Sequence, residues 1–332
     1  MPSVRLVTNL DEGRQVWESV SPAEVITDLW DFRLCFHRHF QRPLQFIVVE
    51  SDRGIEGFLP LCWMEEHGCL GYFPGEVWAG KTWLEQNRLY AANGAVLETM
   101  LACMRGMDKP YHLRYLLPGP AMKNETPEVD EIGYLFNPPD FGYEMEKYYQ
   151  IFSHKSAKRI KREIAAIEGQ GISYRLDDMA DFDIMVRQNV ERYGAASYFS
   201  DTRFRESFRE AMFFLSERGW LRMTTVLIGG QPAAVDFGCV YRGVYTLLGG
   251  GTDGRFPGIA KLINTYHMGR ACAERLRQVD FLCGDFSWKE MFHLTPRPLY
   301  RFSNVTPKTV STGDLSVRPE AVSGQWEIAG SG

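Results

Sequence analysis

A glycine-rich segment that leads into a helix is the first feature of this sequence that could bind a ligand. The run 249–254 precedes six residues that open the helix: Arg255, Phe256, Pro257, Gly258, Ile259 and Ala260. The first backbone N–H groups of a helix lack intrahelical partners and favour an anion such as a pyrophosphate. Arg255 and Lys261 would add positive charge. The segment therefore predicts a phosphate-binding turn, and a capped helix with small packing residues is the alternative interpretation.

A carboxylate in the middle of a predicted strand is the second candidate. Alternation along 233–241 puts Asp236 on the same face as Ala234 and Gly238. Aspartate is disfavoured at the centre of a strand, and its small neighbours indicate a cleft in which the carboxylate accepts a proton from a substrate amine. The alternative is a carboxylate paired with an arginine or a backbone amide.

The end of another predicted strand carries the third candidate. The strand at 279–283 ends at Gly284 and Asp285, and a short helix then presents Lys289. Ligands of α/β folds gather at the carboxyl ends of strands, so both charged residues are candidates for the catalytic site. The alternative is a helix-capping acid and its partner. Cys283 is interpreted as a packing residue, because no histidine–acid arrangement supports a nucleophile.

A basic helix begins near residue 154. Lys155, Lys158, Arg159 and Arg162 share one face by their spacing. Such a face is usually solvated. The more specific hypothesis is that it binds a phosphate-bearing substrate or the backbone of tRNA.

The run Gly75–Thr82 fits the pattern G-x-x-x-x-G-K-[ST] of a phosphate-binding loop. Trp78 is bulky where backbone amides must wrap a phosphate, and the surrounding pattern is a β-meander rather than alternating strands and helices. We interpret the run as a polar loop of the first half, with Trp78 and Lys81 as candidate substrate-binding residues. Nucleotide binding remains the alternative.

Histidines and cysteines predict neither a metal site nor disulfides. Cys35, His37 and His39 lack a fourth ligand at familiar zinc spacing. The seven cysteines are scattered and include no CxxC pair, which is typical of reduced thiols in the cytoplasm.

The predicted elements of the second half follow an order that would bring these candidates together. Helices are predicted at 154–168, 181–192, 202–218, 258–276 and 287–293, and strands at 172–176, 220–228, 233–241, 244–250, 279–283 and 299–304. Gly229 and Gly230 mark a hairpin turn between two of these strands.

The first half repeats this order more faintly, which indicates a degenerate duplication. Helices are predicted at 11–20, 22–40 and 94–105, and strands at 44–50, 54–63, 69–73 and 112–117. The proline-rich and acidic segment 123–140 is predicted to be a loop and linker. We therefore predict domains at 1–150 and 151–308, followed by a disordered tail at 309–332.

Composition sets the remaining limits. The chain has 332 residues, 45% of them hydrophobic, and a net charge of -5, so it is globular, and its global charge disfavours non-specific binding of nucleic acid. The N-terminus has no signal-peptide pattern and the apolar runs are too short to span a bilayer. We expect a cytoplasmic protein with no membrane partner.

Residues 150–305 resemble a known group of enzymes. FSHKSAKRIKREI is similar to the basic first helix of Fem-type peptidyl transferases and of BioF2-like acetyltransferases. QPAAVDFGCVYRGVYTLLGGGTDGRFPGIAKLI resembles their strand–strand–strand–helix core. Residues 255–260 fit the R/Q-x-x-G-x-G/A motif of the GNAT superfamily, and 280–289 resemble the terminal D-F-x-x-G-(x)n-K segment. The long helical arm of staphylococcal Fem-type proteins is missing.

The resemblance implies a tandem GNAT-like α/β (α+β layered) fold, with two mixed sheets flanked by helices. It implies transfer of an acyl group to an amine, with no tightly bound cofactor. The donor would be acyl-CoA such as acetyl-CoA, its pyrophosphate held at the start of helix 258–276, or an aminoacyl-tRNA. Asp236 would accept the amine proton and Lys289 would stabilise the oxyanion or the leaving phosphate.

Two other classes of function stay open. One is the nucleotide-binding protein that Gly75–Thr82 would define. The other is a binding module that kept the fold and lost the chemistry. The acceptor is predicted only as an amine of a small molecule or peptide.

Overall fold

The structure is a computed structural model that describes residues 2–78, 81–119, 121–122, 127–284 and 287–305, with the side chains of Lys81 and Ser287 left out. The predicted site residue Asp285 and the predicted tail at 309–332 lie outside the described residues.

The first half of the chain alternates short strands with three helices among its described residues. Its elements are β1 (Ser3–Val7), α1 (Leu10–Val20), α2 (Trp30–Phe40), β2 (Phe46–Ser51), β3 (Gly54–Leu59), β4 (Leu61–Met64), β5 (Cys69–Tyr72), β6 (Val77–Trp78), β7 (Lys81–Thr82), β8 (Tyr90–Ala91), α3 (Gly94–Arg105), β9 (His112–Leu116) and β10 (Glu128–Phe136). Helix α1 begins where the side chain of Asn9 accepts the backbone N–H groups of Asp11 and Glu12.

The second half supplies longer elements. They are α4 (Met145–Tyr149), α5 (His154–Glu168), β11 (Ile172–Leu176), α6 (Asp181–Tyr193), α7 (Thr202–Glu217), β12 (Leu221–Ile228), β13 (Gln231–Tyr241), β14 (Val244–Thr252), α8 (Ile259–Ala273), β15 (Gln278–Asp280), α9 (Ser287–Met291) and β16 (Thr295–Ser303). Their order matches the sequence prediction for this half. The glycine-rich segment differs from the prediction, because Gly249–Gly251 continue β14 rather than form a turn.

An eight-stranded sheet runs through the second half in the order β11-β12-β13-β14-β15-β10-β16-β9. It is mixed, because β14 and β15 are parallel while the other neighbours are antiparallel. A four-stranded sheet in the order β1-β2-β3-β8 is wholly antiparallel. The predicted architecture of sheets flanked by helices is thus confirmed, and only one of the two larger sheets is mixed.

Strand β10 corrects the prediction that 123–140 is a linker. Its residues pair with β15 on one side and with β16 on the other, so it lies inside the larger sheet. Gly133, Tyr134 and Phe136 are buried there, while Glu128 and Val129 are exposed. The charged outer half of the strand resembles a linker in composition, and its pairing depends on partners about 150 residues away in sequence. The division near residue 150 stays a prediction, since β9 and β10 precede it and join strands that follow it.

Helices cover both faces of the larger sheet. On one face, Val235 and Phe237 of β13 pack against α6 and α7. On the other, Ala233 and Ala234 pack with α5 and α8. Helix α2 of the first half packs on α7, with the rings of Phe36 and Phe208 5.3 Å apart. The two halves therefore share an apolar core.

Two elements of the first half differ from the prediction. The helix predicted at 22–40 begins at Trp30, after a short 3-10 turn at Ile26–Asp28. The backbone of Ala23 has a φ of 49°, a conformation that a right-handed helix does not allow. Strand β1 was not predicted, since five residues at a sheet edge give little periodic signal.

Candidate active site

Strands β14 and β15 separate after a short parallel pairing. Their register covers only the pairs from Val244–Gln278 to Thr246–Asp280. Beyond it, the backbone after β15 turns to β10: the N–H of Phe281 donates to the carbonyl of Tyr134, and the N–H of Tyr134 donates to the carbonyl of Leu282. Strand β14 continues to Thr252 with an irregular register at Leu248. We call the resulting opening, between Leu247–Thr252 and 281–284, the wedge.

The wedge leads to the start of α8. Helix α8 begins at Ile259 after Gly258, whose φ of 82° is left-handed and favours glycine. A Cβ at Gly258 would lie 3.2 Å from the side chain of Ile167 on α5. Some backbone N–H groups of this turn already have partners. The N–H of Ile259 donates to the carbonyl of Phe256, and the N–H of Lys261 donates to the carbonyl of Gly258.

Both predicted phosphate-binding cations have carboxylate partners in this structure. The exposed guanidinium of Arg255 binds Asp253 at 2.9 to 3.0 Å through Nε. Lys261 forms an ion pair with Glu163 of α5. Phe256, Pro257 and Ala260 belong to the same turn and first helical residues. A donor phosphate would therefore compete with Asp253 and Glu163 for these cations.

The basic helix α5 lies beside this turn. Its apolar stripe of Ile160, Ile164 and Ile167 is buried, while Lys155, Arg159 and Arg162 are exposed. The stripe fixes α5 against α8, which leaves the opposite, basic face open to solvent. Binding of substrate by these residues stays a prediction.

Asp236 is buried between β13 and α8. Its Oδ2 lies 2.9 Å from Nε2 of His267, and the imidazole stacks on the ring of Tyr245 at 4.8 Å. A Cβ at Gly250 would clash with Oδ1 of Asp236. The carboxylate is therefore held inside the packing, and its partner is a histidine rather than the arginine or amide weighed above. Its role as a base stays a prediction that this geometry does not favour.

Lys289 binds the backbone at the end of β15. Its Nζ donates to the carbonyl oxygens of Phe281, Leu282 and Cys283 at 3.0, 2.9 and 2.8 Å. An ammonium carries three N–H donors, so these three carbonyls suit it. The side chain is buried and shapes one wall of the wedge, and the predicted contact of Lys289 with the transferred group stays a prediction.

A buried glutamate of the first half, which sequence reasoning missed, reaches the same wall. Oε2 of Glu85 accepts the backbone N–H of Cys283 at 2.7 Å. Burial raises the pKa of Glu85 to about 7, Asp280 adds to the rise, and the ammonium of Lys289 opposes it. Burial and Glu85 together raise the pKa of the Cys283 thiol, so Cys283 is a poor nucleophile, as the sequence indicated.

Glu85 belongs to a group of charged residues from both halves that we call the junction cluster. It consists of four carboxyl groups and three cations among the described residues: Glu85, Asp130, Glu131, Asp280, Arg114, Arg297 and Lys289. Arg114 binds Asp130 and Glu131, each at 2.9 Å, and Arg297 binds Asp280 at 2.9 Å.

Three residues around the junction cluster have left-handed backbones although none is a glycine. The φ angles are 67° at Gln86, 54° at Tyr115 and 56° at Leu282. Each such conformation costs on the order of 1–3 kcal/mol and is typical of functional sites. They come from three distant segments, and no local sequence signal predicts them.

The loop of Glu85 is held from both sides. The side chain of Gln86 donates a hydrogen bond to Asp280 of β15. Oδ1 of Asn87 accepts a hydrogen bond from the buried guanidinium of Arg33, with 2.8 Å between Oδ1 and Nη2. Glu76 accepts the N–H of Leu84 at 2.7 Å. The first half thus fixes Glu85 against the carboxyl end of β15.

The alternative of a phosphate-binding loop at Gly75–Thr82 finds no support in the structure. Val77–Trp78 and Lys81–Thr82 pair as a small antiparallel hairpin, and 83–89 form no helix. A phosphate-binding loop needs a helix N-terminus directly after it. Trp78 packs its ring 5.6 Å from Tyr198 of the second half, and substrate binding by Trp78 and Lys81 stays a prediction.

No group of three or more histidine, cysteine, aspartate or glutamate side chains in the described part of the chain could hold a metal ion. Within the same residues, no helix is long and apolar enough to cross a membrane.

A protein-family model described as acetyltransferase (GNAT) domain matches residues 154–290. This range contains the wedge, the α8 turn and most of α9. It identifies the segment as a GNAT acyltransferase domain. The chain accordingly carries a GNAT acyltransferase domain, and the sequence-based prediction of an acyltransferase is confirmed.

Solved structures share the fold across almost the whole chain. FemX has a TM-score of 0.58 at 8% identity, over 91% of this chain and 97% of FemX. A conserved protein of unknown function from Bacteroides thetaiotaomicron has 0.57 at 11% identity, over 90% and 99%. L-PGS from Bacillus licheniformis has 0.53 at 8% identity, over 84% and 93%. No curated protein matches this sequence. The chain thus shares the fold of these structures.

Proposed function

We propose that this protein is an N-acyltransferase that moves an acyl group from acyl-CoA to an amine of a small molecule or peptide. The observation that carries the proposal is the wedge between β14 and the segment after β15, which opens toward the start of α8. An extended donor in the wedge would have its thioester near the end of β15 and its pyrophosphate near the start of α8.

The α8 turn would hold the donor phosphates. Helix N-termini attract anions through backbone N–H groups and the helix dipole. Arg255 and Lys261 would release their carboxylate partners Asp253 and Glu163 and bind the phosphates instead. Gly258 has no side chain and would leave room for the phosphates. Phe256, Pro257, Ile259 and Ala260 would shape this turn.

Acyl transfer depends on the alignment of the amine with the thioester more than on reactive side chains. The amine has to be neutral, the thioester carbonyl has to be polarised, and both have to be held in line. From Leu247 onward, the edge of β14 that faces the wedge has no neighbouring strand among the described residues. Its backbone groups would bind the amide groups of the donor and fix the thioester.

An aminoacyl-tRNA donor is the second candidate. The fold shared with FemX and the exposed basic face of α5 favour this donor. The net charge of -5 disfavours broad contact with nucleic acid. We also propose the domain division 1–150 and 151–308, and action in the cytoplasm, for which the seven free cysteines are typical.

Thermal unfolding with each donor tests the proposal. A ligand that binds the native state stabilises it by RT ln(1 + [L]/Kd). We expect acetyl-CoA to raise the Tm and to yield an acylated amine with free CoA. If only alanyl-tRNA raised the Tm and supported acyl transfer, aminoacyl-tRNA would be the donor instead of acyl-CoA. Binding without product from any amine would favour a module that lost its chemistry.

A further inference from the structure

The junction cluster is one positive charge short when Glu85 is ionised. Its four carboxyl groups face three cations in the described part of the chain. An unbalanced buried carboxylate is unstable, because burial removes its hydration. Either a proton on Glu85 or a bound cation restores the balance.

Glu85 lies where the acceptor of an acyl group would arrive. It contacts the backbone of Cys283 at the wedge wall, and its carboxylate acts electrostatically on Tyr115 of β9, Tyr198, Cys283 and Lys289. Asp280 of β15 faces it from the sheet. These residues come from both halves and converge on the end of β15, next to the proposed position of the thioester.

Buried polar atoms without protein partners lie beside the same carboxylates. Gln86 is 3% exposed, its Nε2 donates to Asp280, and its Oε1 has no hydrogen-bond partner among the described residues. Within the same residues, Nε of Arg297, which also binds Asp280, has none either. Buried polar groups are normally paired, so an unpaired acceptor at this position indicates that a hydrogen-bond donor from outside the chain completes the site.

We propose that the junction cluster is the acceptor site for a protonated amine and that Glu85 removes its proton. This inference rests on the proposed function. The site takes amines that carry no carboxylate next to the amino group, because Glu85, Glu131 and Asp280 repel one. Glu131 attracts the ammonium electrostatically, and Gln86 accepts one of its N–H groups.

The reaction balances with these groups alone. The ammonium gives one proton to the carboxylate of Glu85, and the neutral nitrogen attacks the thioester carbonyl. The C–N bond forms, the C–S bond breaks, and the second proton of the nitrogen goes to the departing thiolate. Glu85 then releases its proton to solvent. The rate therefore rises with pH as Glu85 ionises, with a midpoint near its pKa of about 7.

Glu85→Gln tests the proposal, because it keeps an acceptor for the N–H of Cys283 and loses the basic oxygen. The probes are acetyl-CoA with glycinamide, and with glycine as the amine that carries a carboxylate. We expect glycinamide to react and glycine to react at least tenfold more slowly. We expect Glu85→Gln to lose about 100-fold or more in kcat/KM and to lose the rise with pH, with unchanged protection by acetyl-CoA.

Two further variants separate the roles. Glu76→Gln alters the other buried glutamate whose pKa is raised to about 7, and we expect it to keep the pH profile. Glu131→Gln should raise KM for glycinamide several-fold with kcat little changed. Glu85→Gln with the rate and pH profile of the wild type would overturn the inference and leave the proposed function intact. Absence of acetyl-CoA binding by the wild type would overturn both.

Discussion

Glu85 in the first half of the chain accepts a hydrogen bond from the backbone N–H of Cys283 in the second half, at 2.7 Å. The two residues are 198 positions apart in sequence, and the bond joins an irregular loop to the end of β15. This contact gives the first half a part in the proposed active site. The GNAT domain supplies the wedge, and the first half supplies one of its buried carboxyl groups.

Asp236→Asn tests whether Asp236 is structural. The carboxylate is buried against His267, so its loss should lower the free energy of unfolding by about 1–3 kcal/mol, the usual cost of a buried hydrogen-bond partner that is left unsatisfied. We expect kcat to change only a few-fold. Urea unfolding and steady-state rates check this. A 100-fold loss of rate with unchanged stability would restore Asp236 as the base.

Lys289→Met leaves the carbonyls of Phe281, Leu282 and Cys283 without a buried donor. We expect a loss of about 2 kcal/mol or more in the free energy of unfolding. The cation of Lys289 also lowers the pKa of Glu85, so its removal should move the pH midpoint of activity upward. An activity loss with an unmoved midpoint and unchanged stability would indicate contact with substrate instead.

Glu76→Gln tests the cost of a buried carboxyl group. Burial raises the pKa of Glu76 from 4.5 to about 7. The folded state therefore holds this proton more tightly than the unfolded state, and the resulting stability is present below pH 4.5 and lost as pH rises through about 7. Glutamine does not titrate and keeps the acceptor for Leu84.

The free energy of unfolding of Glu76→Gln should thus increase relative to the wild type between pH 5 and pH 8, by up to about 3 kcal/mol. Urea unfolding at the two pH values measures the difference, and Glu217→Gln, at an exposed side chain, controls for general effects of charge. Equal differences at both pH values would show that Glu76 is ionised across this range.

Arg255→Ala tests the donor turn. The guanidinium is exposed and its carboxylate partner Asp253 lies in the same turn, so we expect the fold to tolerate the change. The Kd for acetyl-CoA should rise several-fold, and its salt dependence should weaken. Arg53→Ala, at an exposed turn of the first half, is the matched control. Equal affinities of both variants for acetyl-CoA would show that Arg255 does not bind the donor.

The sequence predicted the second half well because its elements are long and strongly periodic. Helix α5 and strands β12 and β13 have the predicted positions almost to the residue. Strand β10 was missed because Glu128, Asp130 and Glu131 give it the composition of a linker. Only the neighbours β15 and β16 decide that the segment is a strand.

Part of the candidate site could be located from the sequence. The turn at 255–260 and the end of β15 carry local signals, namely glycines and a strand end, and the structure places both beside the wedge. The partners of Asp236 and Lys289 were not, since His267 and the carbonyls of 281–283 are brought to them by packing. Glu85 lies in an irregular loop, and its raised pKa arises from burial between two halves that no local pattern reveals.

Hydrogen–deuterium exchange with and without acetyl-CoA tests the central claim most directly, because it reports on the backbone N–H groups that would bind the donor. The account predicts slower exchange at 253–262 and along Leu247–Thr252 with saturating acetyl-CoA, and unchanged exchange at 75–82. Unchanged exchange at 253–262 in a protein that is saturated with acetyl-CoA would contradict it.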